Sequence, residues 1–574
     1  MQIHGKLVKS EIFLILGIVF LLFGDSNGRI SDSLKVTLSH GGGIIGRYLR
    51  SFRGHGIRAF MGIPYAEPPI GSLRFNNPVP KSAWSGYLET VSNEAACPQF
   101  DMMRRKEYIG KEDCLYVNVY SPQFPNTTEN LPVMVFFHGG GFQQGSPYYY
   151  TPDFFLDHDV VLVVGNYRLG ALGFLTTNTS DSSGNFGLKD MVEILKWVQQ
   201  NIGAFGGNRD QVTIFGQSAG GASVTYLMSY PSAKGLFHRA ISQSGTLHSP
   251  WTFKNTTQAL QMTLRLAHEL RCERGRQDNW SKLVECLRHK SAESIVQSTS
   301  ELHYWMGFPL AVFNPTLEKD REGAFVAEHP ENIVRDNHGQ NIPLLIGLTS
   351  EEGAFTTASI TDKPRLVQEL NDQWRRILPH LLFYGDFNED RRTTITESIN
   401  TFYFNGKEGR PAIEMLQNFT NVFTDFVFLK GFNKFLQRRF GENQDFADTY
   451  VYLFSHRGEG SYSDLVAGPN SKDYGVCHGD DIFYLFPYFD KLSFRSAPSS
   501  KDILMQETLV KLWVNFATQG KPTPVENLDI DWVPADKFPF NYLRIGNYRN
   551  SNKSIFGMEN DLWGERSEFM RNIY

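Results

Sequence analysis

Two short stretches in the first third of the chain are almost entirely apolar. They are LPVMVFF at residues 131–137 and DVVLVVGNY at residues 159–167, and polar or glycine-rich segments bound both. A strand buried on both faces shows such an unbroken apolar run, whereas a strand with one solvated face alternates. The pattern therefore predicts two central strands of a mostly parallel sheet.

Apolar residues recur with the period of an α-helix in LKDMVEILKWVQQNI at 188–202, which predicts a helix there. The next predicted strand is DQVTIF at 210–215. The apolar residues on one face of the helix are Met191, Ile194, Leu195, Val198 and Ile202. Strands are also predicted within 341–353 and 448–454, and a helix at 503–520. We see no repeat or linker, so we expect one large α/β domain: a mostly parallel central sheet flanked by helices, with long insertions.

The N-terminus has a different pattern. Lys6 and Lys9 precede the apolar run IFLILGIVFLLF at residues 12–23, and the small residues Ser26 and Gly28 follow it. A membrane span needs ~20 apolar residues, so this shorter run is typical of a signal peptide. We expect residues 1–28 to be a signal peptide, with a buried helix as the alternative, and residues 29–574 to be a secreted catalytic domain without a membrane anchor.

Cysteines and glycosylation sequons agree with an extracellular location. We expect the disulfides Cys97–Cys114 and Cys272–Cys286, which are short-range pairs, although the sequence leaves other pairings open. Cys477 is then a free thiol. Sequons of the form Asn-x-Ser/Thr, which would be on the surface if glycosylated, occur at Asn126, Asn178, Asn255, Asn279, Asn418 and Asn552.

Composition and charge narrow the class of protein. Hydrophobic residues make up 41% of the chain and charged residues 20%, as in a folded globular protein. The net charge of −5 is small for 574 residues and no long basic run occurs, so we expect no nucleic-acid partner. No pattern in the sequence indicates an oligomeric state.

The predicted strand at 210–215 leads directly into Gly216-Gln217-Ser218-Ala219-Gly220. A strand that turns sharply into a helix through Gly-x-Ser-x-Gly holds the serine in a strained, exposed conformation. The helix N-terminus favours the negative charge that develops there. The motif predicts that Ser218 is a nucleophile, and the alternative is an ordinary glycine-rich turn.

A second glycine-rich segment supports the nucleophile. FFHGGGFQQG at 136–145 follows a predicted strand, and backbone amides in such a loop can approach an oxyanion without obstruction by side chains. We expect Gly140, Gly141 and the amide of Ala219 to form the oxyanion hole. A phosphate-binding loop is the competing interpretation, but the Lys-Ser/Thr ending of that motif is absent.

Motifs along nearly the whole chain after the predicted signal peptide carry a family resemblance. They are FMGIPYAEPPIGSLRF at 60–75, EDCLYVNVYSP at 112–122, HGGGF, NFGLKDMVEILKWVQQNIGAFGGN at 185–208, FGQSAGG, and GVCHGDD at 475–481. With them the chain resembles the type-B carboxylesterase/cholinesterase family of α/β-hydrolases. Within that family it is similar to insect secreted esterases, including juvenile hormone esterases and venom and detoxifying carboxylesterases. The resemblance implies the α/β-hydrolase fold and ester hydrolysis without a metal or cofactor.

The resemblance also implies a Ser-Glu-His triad. The acid maps onto Glu352 in TSEEGAF, with its neighbour Glu351 as the alternative, and the histidine of Gly-x-x-His-x-x-Asp maps onto His478. His478 would take a proton from Ser218 and later return one to the leaving alcohol, while Glu352 would orient the imidazole. The expected reaction gives an acid and an alcohol through an acyl-enzyme.

Departures from the cholinesterase pattern favour a neutral, small-molecule ester. Cholinesterases hold a quaternary ammonium on a tryptophan of the first disulfide loop, whereas residues 97–114 contain no tryptophan. That segment carries Arg104, Arg105 and Lys106 instead, and Gln217 replaces the glutamate that precedes the serine in those enzymes.

Resemblance places Trp251 and the stretch Phe308–Phe313 near the acyl side of the pocket, with ordinary core packing as the alternative. GQSAG, GxxHxxD and Arg74-Phe75 match the juvenile hormone esterase pattern, but Asp190-Met191 departs from its Asp-Gln. A dedicated juvenile hormone esterase is therefore an alternative. Stoichiometric trapping of toxic esters and a non-catalytic binding protein of the same fold are two others.

Overall fold

A mixed β-sheet forms the centre of the protein. The computed structural model describes residues 32–573 except 94, 102–106, 125–129, 274–278, 320–322, 334–339, 442–445, 468–471, 488–496, 524–530 and 548–553. Within these ranges the sheet has eleven strands: β1 Arg47–Arg50, β2 Gly56–Pro64, β3 Tyr116–Pro122, β4 Leu131–Phe137, β5 Val161–Gly165, β6 Gly207–Gln217, β7 Arg239–Gln243, β8 Leu344–Thr349, β9 Thr449–Phe454, β10 Asn541–Ile545 and β11 Phe556–Asn560.

The strand order in space is β11-β10-β9-β8-β7-β6-β4-β5-β3-β2-β1. The strands from β10 to β5 in this order run parallel, and β11, β3, β2 and β1 pair antiparallel. The predicted central strands are confirmed as β4 and β5, in which every residue is buried. The predictions within 341–353 and 448–454 are confirmed as β8 and β9.

Short strands of the described ranges form two smaller sheets, one of Lys35–Thr37, Gly43–Ile45 and Tyr87–Glu89 and one of Gln99–Asp101 and Glu107–Ile109. The α-helices are α1 Gly170–Phe174, α2 Phe186–Asn201, α3 Ala219–Ser229, α4 Thr256–Glu269, α5 Trp280–Arg288, α6 Ala292–Ser300, α7 Pro330–Ile333, α8 Ala354–Thr361, α9 Pro364–Asp372, α10 Trp374–Leu381, α11 Glu389–Phe404, α12 Arg410–Glu414, α13 Leu416–Phe423, α14 Lys430–Phe440, α15 Tyr462–Val466, α16 Ser500–Gln519 and α17 Gly564–Asn572. Among the described residues, no helix has the length and apolar character needed to span a bilayer.

Helices cover both faces of the sheet, which explains the unbroken apolar run of β4. Val133 and Val135 point into one core cluster, to which α2 contributes, while Met134 and Phe136 point into a second cluster, to which α16 contributes. Alternate side chains of one strand are therefore buried on opposite faces. This layered architecture is that of the predicted α/β fold.

The long C-terminal helix begins earlier than its apolar period predicts. α16 starts at Ser500 rather than at 503, because Ser499 caps it: the Ser499 hydroxyl accepts from the amide of Asp502, and the Asp502 carboxylate accepts from the amide of Ser499. The helix ends at Gln519, and Gly520 follows it in the left-handed conformation, so its end agrees with the predicted bound to within one residue. The first turn was missed because its polar residues lie outside the apolar period.

Both expected disulfides are present, Cys97–Cys114 and Cys272–Cys286. Among the sequons, Asn255 and Asn279 are exposed and cap helices α4 and α5, while Asn178 and Asn418 are partly buried. The predicted signal peptide, Asn126, Asn552 and the basic residues Arg104, Arg105 and Lys106 lie outside the described residues.

Candidate active site

The chain reverses sharply where β6 meets α3, and Ser218 is the residue at the corner. Its backbone angles are φ 59° and ψ −121°, a conformation that costs free energy for any residue with a side chain. Gly220 allows the two elements to approach, because a Cβ atom there would lie 1.9 Å from the carbonyl oxygen of Phe137. The predicted strand-turn-helix geometry around Ser218 is therefore present.

The glycine-rich loop after β4 lies beside this corner. Gly139, Gly140 and Gly141 line the same cavity as Ser218. At Gly140, φ is 114° and a Cβ atom would lie 2.1 Å from the carbonyl oxygen of Gln144, so only glycine fits this turn. Ala219 is the first residue of α3, and the amides of a helix's first turn have no partner within the helix.

His478 reaches the cavity from a loop that precedes a 3₁₀ helix at Asp480–Tyr484. Its Nδ1 atom lies 2.6 Å from Oε2 of Glu352, whose side chain is fully buried. A carboxylate can only accept, so Nδ1 donates this hydrogen bond to Glu352. The Nε2 atom of His478 lies 3.2 Å from the side-chain nitrogen of Gln217, the residue before Ser218.

Glu352 is held by two further donors. Its Oε1 atom accepts hydrogen bonds from the Ser244 hydroxyl at 2.5 Å and from the amide of Thr349 at 2.8 Å. Glu351, the alternative acid, lies elsewhere: its carboxylate accepts from Ser350 and from the amide of Val476. The structure therefore brings Glu352, and not Glu351, to His478.

Sequence reasoning missed Ser244, although a signal for it exists. Ser244 follows β7, which lies between β6 and β8, the strands that lead to Ser218 and Glu352. The carboxyl ends of parallel strands meet at one edge of a sheet, and polar residues there often line the site.

Asp481, the last residue of the histidine motif, is fully buried behind the site. It accepts hydrogen bonds from Gln243 at 2.8 Å and from the Tyr452 hydroxyl at 3.0 Å. Burial raises the pKa of this carboxyl to about 6. The amide of Ser218 donates to the carbonyl of Gln243, so one glutamine links Asp481 to the backbone of the corner.

The cavity has a volume of about 570 Å³ and is lined by Ser218, His478 and the glycine-rich loop, together with apolar side chains. Trp251 lines it as expected, and it lies beside Phe428, with ring centroids 6.2 Å apart. Within the predicted stretch Phe308–Phe313, Leu310 lines the cavity, whereas the two phenylalanines at its ends are buried in the core. A pocket of this kind accommodates a largely apolar ligand.

Two further observations concern thiol chemistry and metal binding. Cys477 is buried, and burial raises the pKa of its thiol well above the usual range, so it is not a reactive thiolate. Within the described ranges, no group of three or more histidine, cysteine, aspartate or glutamate side chains is arranged to hold a metal ion.

Comparison with known proteins agrees with this architecture. The model of the carboxylesterase family matches residues 32–563. Venom carboxylesterase-6 of Apis mellifera is 34% identical over 548 residues, which cover 94% of this chain and 94% of that protein.

Two further relatives carry different names. Juvenile hormone esterase of Tribolium castaneum is 32% identical over 96% of this chain and 97% of its own length. Esterase E4 of Myzus persicae is 35% identical over 94% of this chain and 95% of its own length. This chain therefore belongs to the carboxylesterase family, has the α/β-hydrolase fold and is a carboxylic ester hydrolase.

Proposed function

We propose that the protein is a secreted serine carboxylesterase that hydrolyses neutral carboxylic esters through an acyl-enzyme. One observation carries the proposal: a strained serine and a histidine oriented by a buried carboxylate open into one apolar cavity beside a glycine-rich loop. This combination supplies a nucleophile, a general base and backbone amides for an oxyanion. Ser218, His478 and Glu352 form the proposed triad.

In the proposed mechanism, the Ser218 hydroxyl attacks the ester carbonyl carbon while His478 Nε2 takes the hydroxyl proton. The carbonyl electrons move onto oxygen, where the amides of Gly140, Gly141 and Ala219 stabilise the charge. Collapse of this intermediate breaks the bond to the alkoxy group, which receives the proton and leaves as alcohol. Water repeats the sequence and releases the acid, and Glu352 stabilises the imidazolium in both halves.

A neutral substrate is supported by the charge around the nucleophile. Gln217, the residue before Ser218, is an uncharged amide whose nitrogen lies 3.2 Å from His478 Nε2. Trp251, Phe428 and Leu310 add apolar wall. Because Gln217 carries no negative charge, it does not attract a cationic substrate, so we expect the acyl and alkyl groups of the ester to be uncharged.

Secretion is supported by the N-terminal pattern and by the two disulfides. We place the signal peptide at residues 1–28 and the catalytic domain at 29–574, and the match to the family model begins at residue 32. N-terminal sequencing of protein collected from the medium of eukaryotic cells should begin at residue 29. A product that starts at Met1 would contradict the proposal.

Mass spectrometry after incubation with a fluorophosphonate tests the chemistry. The expected result is modification of the peptide that contains Ser218, with no turnover of p-nitrophenyl esters by the Ser218→Ala variant. A folded, unmodified wild-type protein would refute the esterase mechanism and favour a binding role. Higher kcat/KM on juvenile hormone than on aryl and alkyl esters would instead identify a dedicated hormone esterase, whereas slow release of the acid would identify a trapping role.

A further inference from the structure

One helical turn with an unusual hydrogen-bond pattern lies against the proposed triad. Residues Thr424–Leu429 form a π-helical turn between α13 and α14, and all its residues are buried. π-helical turns are rare because they are less favourable than the α-helix, and they occur frequently at functional sites. We refer to residues Thr424–Leu429 as the π-turn.

The π-turn contacts the proposed site at three points. The Thr424 hydroxyl accepts a hydrogen bond at 3.0 Å from the amide of Gly353, the residue after Glu352. The carbonyl of Val427 accepts from the Trp251 indole at 3.1 Å.

The third contact is made by Phe428, whose ring centroid lies 4.6 Å from that of the His478 imidazole. Phe428 also lines the cavity, on the same wall as Trp251. A single turn therefore borders the acid, the histidine and the acyl side of the pocket.

A buried carboxylate fixes the π-turn from the other side. Asp425 is fully buried, and its carboxylate accepts hydrogen bonds from Nε and Nη2 of Arg566 at 2.8 and 2.5 Å. The Tyr403 hydroxyl donates to it at 2.6 Å. Arg566 belongs to α17, near the end of the chain, and its guanidinium also lies over the Trp563 ring.

The geometry of this pair makes it sensitive to change. Two parallel N–H···O bonds between guanidinium and carboxylate fix orientation as well as distance. Removal of Arg566 would leave the Asp425 carboxylate buried without its cation, which is strongly unfavourable. Whether the carboxylate then moved towards water or took up a proton, the turn would lose both guanidinium bonds that fix it, and Phe428 and Val427 would shift with the turn.

We propose that Asp425 and Arg566 are positioning residues for ester hydrolysis. Their ion pair holds the π-turn in the register that packs Phe428 against His478 and Val427 against Trp251. The pair therefore sets both the orientation of the histidine and the preference for the acyl group. The inference rests on the proposed function, because it assigns the effect to His478 as the general base.

The test compares Arg566→Met with a matched control. Arg544→Met removes the Arg544–Glu559 ion pair, which joins β10 to β11 and does not line the cavity. Its arginine is about as buried as Arg566, whereas its carboxylate is 25% exposed and that of Asp425 is fully buried. For both variants, kcat and KM are measured on p-nitrophenyl acetate and p-nitrophenyl octanoate, together with the melting temperature.

We expect Arg566→Met to lower kcat on both esters by at least about tenfold, because small displacements of a catalytic group are costly. The ratio of kcat/KM for octanoate to that for acetate should also change, by at least about threefold. Arg544→Met should leave the ratio unchanged and kcat within about twofold, whatever its melting temperature. Equal effects of the two variants, or wild-type kinetics in a folded Arg566→Met, would overturn the inference.

Arg566→Lys keeps the charge but loses the bidentate geometry. It takes the place of Arg566→Met in the kinetic test if that variant does not fold. It should show the same change in the acyl ratio to a smaller extent, and wild-type kinetics would overturn the inference. Phe428→Leu should also change the ratio of kcat/KM for octanoate to that for acetate. Combining Phe428→Leu with the Arg566 variant should change this ratio little further. Fluorophosphonate labelling separates the two failures: an unlabelled wild type overturns the proposed function, whereas a labelled wild type with an unaffected Arg566→Lys overturns only the positioning role.

Discussion

Gly220→Ala tests whether the corner at Ser218 depends on close approach of backbone. An added Cβ atom at Gly220 would lie 1.9 Å from the carbonyl oxygen of Phe137 and 2.9 Å from that of His138. Both atoms belong to backbone, at the end of β4 and the start of the glycine-rich loop. No side-chain rotation can relieve the overlap, so the two segments must separate.

The size of the effect follows from the overlap. A Cβ–oxygen contact must reach at least 3.0 Å, so the segments must part by about 1 Å. This movement separates Ser218 from the amides of Gly140 and Gly141. A misplacement of about 1 Å costs about 100-fold in rate, and overpacking a well-packed region costs about 1–3 kcal/mol.

The assay is kcat/KM on p-nitrophenyl acetate, the rate of fluorophosphonate labelling of Ser218, and the free energy of unfolding in urea. Gly203→Ala is the matched control, because a Cβ atom there meets nothing within 4 Å. It should leave activity unchanged and stability within about 0.5 kcal/mol. If Gly220→Ala retains wild-type kcat/KM and labelling rate, the close-approach argument is wrong.

The remaining predictions concern side chains around the site. Ser244→Ala removes a hydrogen bond to the Glu352 carboxylate and should lower kcat/KM on p-nitrophenyl acetate about tenfold; an unchanged value contradicts a role in orienting Glu352. Gln217→Glu puts a negative charge beside the Nε2 atom of His478, which favours imidazolium, so the acidic limb of the kcat/KM profile should move to higher pH; an unmoved limb rejects the contact. Burial raises the pKa of Asp481 from 3.8 to about 6, so its ionisation destabilises the folded state progressively as the pH rises through that range and fully above it. Asp481→Asn should therefore stabilise the protein, relative to wild type, by about 2 kcal/mol more at pH 7.5 than at pH 4 in urea denaturation, and an equal difference at both pH values would contradict this.

The sequence was most informative where local patterns determine local structure. Apolar runs located β4 and β5, and short spacing indicated both disulfides. The serine motif and the glycine-rich loop also pointed to residues that line the cavity, because sharp turns and glycine-rich loops have characteristic residue patterns. His478 was assigned from the family resemblance.

Contacts between segments that are far apart in the chain could not be predicted from the sequence. Ser244 is 108 residues from Glu352, and Arg566 is 141 residues from Asp425. The π-turn has no pattern of its own, since TDFVFL is equally compatible with a buried α-helix or a strand. Such features follow from the packing of the whole chain, which one sequence does not reveal.

Gln217 shows how a structural contact changes the meaning of a sequence difference. In the sequence, its significance is the loss of a negative charge beside the nucleophile. In the structure its amide reaches His478 Nε2, the atom that would take the proton from Ser218. An uncharged side chain against the proposed general base gives no attraction to a cationic substrate, so this contact supports one reaction, the proposed hydrolysis of a neutral ester.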